Sequence, residues 1–63
     1  MTNLSQEQIK KALIISSTRP DGSMGMDLED IDECVKDLFN KQLECKIELT
    51  IDPITKRLGF KDN

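Results

Sequence analysis

The chain has 63 residues, with 12 acidic and 9 basic side chains, a formal charge of −3, and no histidine, tryptophan or tyrosine. A chain this short buries only roughly 60% of the surface it exposes when unfolded, so one small domain is the most it can build. Without histidine there is no imidazole general base, no histidine-containing zinc site and no unperturbed side chain titrating near neutrality.

The first element is announced by Leu4-Ser5-Gln6-Glu7-Gln8-Ile9. Ser5 is a natural N-cap, Gln8 stands three residues on to complete a capping box, and Leu4 and Ile9 occupy the hydrophobic-staple positions. Ile9, Ala12, Leu13 and Ser16 fall on one helical face, and Ile14 and Ile15 flank it, which makes a broad apolar stripe. The helix is expected over 5–17 and must end before Pro20, because a residue preceding proline resists the helical region. A competing reading touches the same stretch. Ala12-Leu13-Ile14-Ile15-Ser16-Ser17-Thr18-Arg19-Pro20 resembles the first strand and phosphate loop of flavodoxin-like FMN reductases, which implies a strand at 12–17 and a bound phosphate. Phosphate would then sit at the next helix N-terminus, where Asp27, Glu29, Asp30, Asp32 and Glu33 repel it. No cofactor is expected, and residues 12–17 stay open between helix and strand.

Residues 18–26 form a loop, with turn chemistry at Pro20-Asp21-Gly22 and a second pliable point at Gly25. Its acids invite comparison with an EF-hand, but that alignment puts Arg19 in the first ligand position. No metal site is expected. A second capping signature follows, with Asp27 as N-cap, Asp30 at N3 and Met26 and Ile31 as staple. The acids complement the positive end of the helix dipole. Leu28, Ile31, Val35, Leu38, Phe39 and Leu43 then share a stripe, predicting an amphipathic helix over 27–43.

From Cys45 the period changes to two. Cys45, Ile47, Leu49 and Ile51 alternate with Lys46, Glu48 and Thr50, predicting a strand over 45–51 with one buried face. Asp52 to Lys56 reads as a turn with Pro53 leading it, and 57–61 as a second strand. A loop of residues 53–56 sets Asp52 opposite Arg57, Ile51 opposite Leu58 and Leu49 opposite Phe60, so every apolar side chain meets on one face. Residues 61–63 are expected to fray.

The expected architecture is therefore α+β: two helices followed by a C-terminal β-hairpin (ααββ), in a single small domain over 1–63. Its chemistry is sparse. The serines have no histidine to activate them, and Cys34 lies among Asp30, Glu33 and Asp37 rather than the cations that reactive thiols need. Cys34 and Cys45 are expected as reduced thiols of a cytoplasmic protein. No apolar run reaches the ~20 residues of a membrane span, and no secretory leader is read at Met1-Thr2-Asn3-Leu4. What remains is binding. The expected function is a small non-enzymatic, regulatory protein-interaction module, a homodimer by preference, of the kind found among phage and mobile-element accessory proteins. Met24, Met26 and Ile54 are its candidate contact residues, since pliable apolar side chains make adaptable contacts. The alternative is a winged-helix-like DNA-binding regulator, with helix 27–43 as reader and Lys46, Lys56, Arg57 and Lys61 on the wing. Against it, the exposed helix face carries Glu29, Glu33 and Asp37, whereas major-groove readers use arginine, lysine, asparagine or glutamine.

Overall fold

The computed structural model describes residues 3–62 and has two helices followed by an antiparallel hairpin. α1 spans Gln6–Ser17, α2 spans Leu28–Leu43, β1 spans Ile47–Ile51 and β2 spans Leu58–Asp62.

α1 begins with a complete capping box. The Gln8 backbone N–H donates to Ser5 Oγ at 3.2 Å, and the Ser5 N–H donates to Gln8 Oε1 at 2.8 Å. Residues 12–17 are helical, which removes the strand alternative and with it the flavodoxin-like reading. The helix stops at Thr18, whose extended backbone turns out of the α region while its hydroxyl donates to the Ile14 carbonyl at 2.7 Å.

Residues 18–26 are more structured than a simple loop. Thr18 and Met24 form an isolated antiparallel bridge. The N–H of Arg19 donates to the Ser23 carbonyl at 2.7 Å and that of Gly25 to the Ser17 carbonyl at 2.8 Å. The segment is a miniature hairpin.

At the start of α2 the capping expectation is met only in part. Asp27 is the N-cap, but its side chain makes no capping hydrogen bond. The acids Glu29 and Asp30 of the first turn act through the helix dipole instead. Met26 is half-buried against the core and Ile31 is fully buried, consistent with the staple.

α2 ends in a Schellman turn. The N–H of Lys46 donates to the Lys41 carbonyl at 3.0 Å and that of Cys45 to the Gln42 carbonyl at 3.1 Å. Cys45 therefore holds the left-handed position, with φ 61°. That geometry, usually given to glycine, is why β1 begins at Ile47 and not at Cys45. The two cysteines are not bonded to each other.

The hairpin has the register that the apolar pattern predicts, with Ile51 opposite Leu58 and Leu49 opposite Phe60. Ladder pairing continues to Glu48–Lys61 and Ile47–Asp62, so residues 61 and 62 belong to β2 rather than to a frayed end; Asn63 lies outside the described residues. A Cβ at Gly59 would lie 2.9 Å from Thr50 Oγ1, so a larger residue there needs the Thr50 hydroxyl to turn aside. One expectation fails. Phe60 is on the same face as Leu49 yet remains 67% exposed. The cover over β2 lies at Leu58, whose N–H donates to Ser16 Oγ of α1, and Phe60 is about 7 Å further along the strand.

α1 packs on α2 and β2, and α2 packs on β1. Between them lie Ile9, Ile31, Val35 and Leu49, with Leu13, Ile14, Leu38, Phe39, Ile47 and Leu58 closing around them. One polar side chain joins the interior: Gln42 is only 4% exposed. Its amide grips the backbone of Leu4 from both sides, Oε1 accepting the Leu4 N–H at 3.1 Å and Nε2 donating to the Leu4 carbonyl.

Two stability outcomes follow. Gln42→Ala leaves two backbone groups of Leu4 without partners in a part-buried setting, and is expected to cost about 1–3 kcal/mol by urea unfolding. Cys45→Gly relieves the left-handed residue at the Schellman turn. Compared with Cys45→Ala, which removes the same side chain, it is expected to be more stable by roughly 0.5–1 kcal/mol in the same measurement, after the extra chain entropy of glycine is subtracted.

Candidate functional site

An apolar opening on the surface is a groove where α1 faces the turn end of the hairpin. Ala12 and Ile15 of α1 and Ile51 of β1 line it, with Gln8, Lys11 and Lys56 alongside. Helical spacing explains the first part: residues 8, 11, 12 and 15 repeat on one side of α1. Ile15 lies beside the stripe that enters the core and stays 39% exposed. Lys56 is brought in by the hairpin loop. Its backbone has φ 63°, and its N–H donates to the Asp52 carbonyl at 2.9 Å, which closes the turn. The cavity of about 230 Å³ is smaller than the ~300–1,000 Å³ of small-molecule pockets, and suits one or two side chains of a partner.

The residues read from sequence as contact candidates are not gathered at this groove. Met24 lies in the miniature hairpin at the end of α1, partly exposed and bridged to Thr18. Met26 turns toward the core and is half-buried. Ile54 stands at the tip of the β-hairpin, 88% exposed. The groove residues Ala12, Ile15 and Ile51 carry a weak sequence signal: Ile15 departs from the Ile9–Ala12–Leu13–Ser16 face, and Ile51 ends its strand. Only the fold shows that the two meet.

The four candidate wing cations sit at opposite ends of the hairpin. Lys56 and Arg57 are at the turn, while Lys46 and Lys61 are at the open end, on the order of 15 Å away along the strands. Three have acidic company. Lys46 Nζ is 3.3 Å from Glu44 Oε2, Lys61 pairs across the ladder with Glu48, and Lys56 is close enough to Asp52 to act on its carboxyl. A cationic wing is not assembled.

The acids that are perturbed serve turns. Asp52 Oδ1 accepts the N–H of Thr55 at 2.9 Å and that of Ile54 at 2.7 Å, and these bonds hold its carboxyl below the usual carboxylate range. Asp21 is held low in the same way, first by the Ser23 hydroxyl at 2.6 Å and then by the Ser23 N–H. Among the described residues no three histidine, cysteine or acidic side chains are gathered to hold a metal ion, and no helix is long and apolar enough to cross a membrane. No protein-family model matches the chain, and neither curated proteins nor solved structures give a match.

The Asp52 turn sets a pH dependence. Its folded pKa is lowered, so its contribution is present above the unfolded value of about 4 and is lost as pH falls through the lower folded value. Unfolding of wild type and Asp52→Asn compared between neutral pH and strong acid is expected to show an advantage for wild type that shrinks steadily below about pH 4. A constant difference across that range would contradict the role given to the carboxylate.

Proposed function

We infer that this chain is a non-enzymatic, regulatory protein-interaction module, and that the groove between α1 and the hairpin is a contact surface. The observation that carries this reading is the groove itself. Ala12, Ile15 and Ile51 line it, with Lys11 and Lys56 alongside and Lys11 Nζ 3.6 Å from Glu7 Oε1. That arrangement fits a partner segment presenting an aliphatic side chain. Apolar contact supplies the affinity. Ile54, exposed at the neighbouring hairpin tip, extends the surface available to such a partner. A cytoplasmic setting belongs to the same reading, supported by the two thiols.

The test is a partner captured with the wild-type protein and then titrated against wild type and Ile15→Asp. Because Ile15 is not in the buried core, the variant is expected to keep its fold by circular dichroism and to lose at least about tenfold in affinity, as a charged group in an apolar contact should. Equal affinity of the two proteins would rule out the groove as the contact.

A further inference from the structure

The geometry points to a second copy of this chain as the occupant of the outer edge of β1, joined antiparallel about Leu49 to make a four-stranded sheet. This rests on the reading of the chain as a module that works by protein contacts; it uses the backbone edge of β1, which meets the groove at Ile51.

The direction of the backbone groups comes first. The N–H of Asp52 donates to the Arg57 carbonyl at 3.0 Å, so residues 52 and 57 are a hydrogen-bonded pair. Pairs alternate in an antiparallel ladder, which makes Ile51–Leu58, Leu49–Phe60 and Ile47–Asp62 the other class. The N–H and C=O groups of Ile47, Leu49 and Ile51 therefore point away from β2. An independent bond agrees: the N–H of Leu58, also of this class, points away from β1 and meets Ser16 Oγ at 2.8 Å.

The two edges are consequently unlike. That of β2 is interrupted at Leu58, whose N–H α1 takes, although among the described residues no hydrogen bond reaches the outward groups of Phe60. That of β1 has no strand neighbour, and no hydrogen bond reaches the outward groups of Ile47, Leu49 or Ile51 among the described residues. The strand Ile-Glu-Leu-Thr-Ile has no proline, lysine or bulge to discourage pairing.

Charge then selects the partner and its register. With Leu49 opposite Leu49 of the second copy, Ile47 faces Ile51, Glu48 faces Thr50 and Lys46 faces Asp52. All three outward residues join the new ladder, and the only charged pair directly opposed is of opposite sign. Sliding by two residues in one direction sets Glu48 against Glu48. Sliding in the other sets Glu48 against Asp52. Both oppose like charges, which is destabilising, and slips by one residue turn the donors away. Of these three registers the one centred on Leu49 has no such conflict, and it alone engages all three outward residues of β1 with one another. Two strands alone are marginal, and a third and fourth supply the pairing they lack.

The test uses the whole chain and position 50. Thr50 is exposed, faces Gly59 within its own hairpin, and in the dimer faces Glu48 of the second copy. Sedimentation over a concentration series is expected to show a monomer–dimer equilibrium. Thr50→Lys should tighten it and Thr50→Glu should weaken it, each by roughly 2- to 30-fold from two symmetric pairs, with the difference shrinking at high salt. In a mixed-isotope sample, a contact between the α-protons of Glu48 and Thr50 on different copies identifies the register. A monomer at every usable concentration overturns the proposal and leaves the groove reading standing. A dimer whose affinity moves the same way in both variants, or one dissolved by Ile15→Asp, overturns it too, because the contact then lies elsewhere. Partner binding unaffected by Ile15→Asp would instead remove the groove while leaving this edge untouched.

Discussion

Gln42 determines where α1 begins. Its amide is buried in the last turns of α2 and pairs with both backbone groups of Leu4, one residue before the capping Ser5. The primary amide offers a donor and an acceptor side by side, which matches the N–H and C=O of a single residue as a neighbouring strand would. Left unpaired in the interior, such a group would be costly; paired on both sides it specifies one position for the chain. Ser16 does the same at the other end of α1, accepting the N–H of Leu58. The helix is thus tied at both ends to distant parts of the chain, and Ile9 and Ala12 are buried between the two ties.

The same logic explains the hairpin. Left-handed residues bracket β1, Cys45 where α2 turns into it and Lys56 where the chain returns. Neither position is a glycine, so each turn carries some strain, offset by the hydrogen bonds that close it. Between these fixed points a slip of one residue would carry Leu49 out of the core and break both closures. Register is held by turn geometry at the ends and by burial in the middle.

Much of this was legible in the residues themselves. Ser5 and Gln8 announce the start of α1, the change of period after α2 announces the hairpin, and the matching of Leu49 with Phe60 and Ile51 with Leu58 predicts the ladder. Local signals report local geometry. What escaped depended on distance along the chain. Gln42 stands beside Leu43 with no mark that it meets Leu4, and Ser16 looks like a small residue on an apolar face until Leu58 arrives. Phe60 has the right face but lies beyond the covering helix, and Cys45 fits the alternation although the Schellman turn takes it. The groove is of the same kind: Ile15 and Ile51 lie far apart in sequence, and no periodicity foretells that their faces converge.

These ties also explain why the surface is unevenly finished. A chain of this length has few apolar side chains to spend on a closed interior, and Ile9, Ile31, Val35 and Leu49 form its buried cluster. Where polar contacts hold the backbone, as at Leu4 and Leu58, little further cover is needed. Where they do not, the consequences are visible: Ile15 faces a groove, Ile54 faces solvent, and the outer edge of β1 has no strand beside it. The contrast between the two sheet edges is the clearest case. One hydroxyl on α1 occupies the β2 edge at Leu58, while α2 packs against β1 without any such bond to its outward groups. The asymmetry is a property of where each helix ends relative to its strand. It leaves the outward groups of Ile47, Leu49 and Ile51 together along one uninterrupted edge, whereas the edge of β2 is interrupted at Leu58.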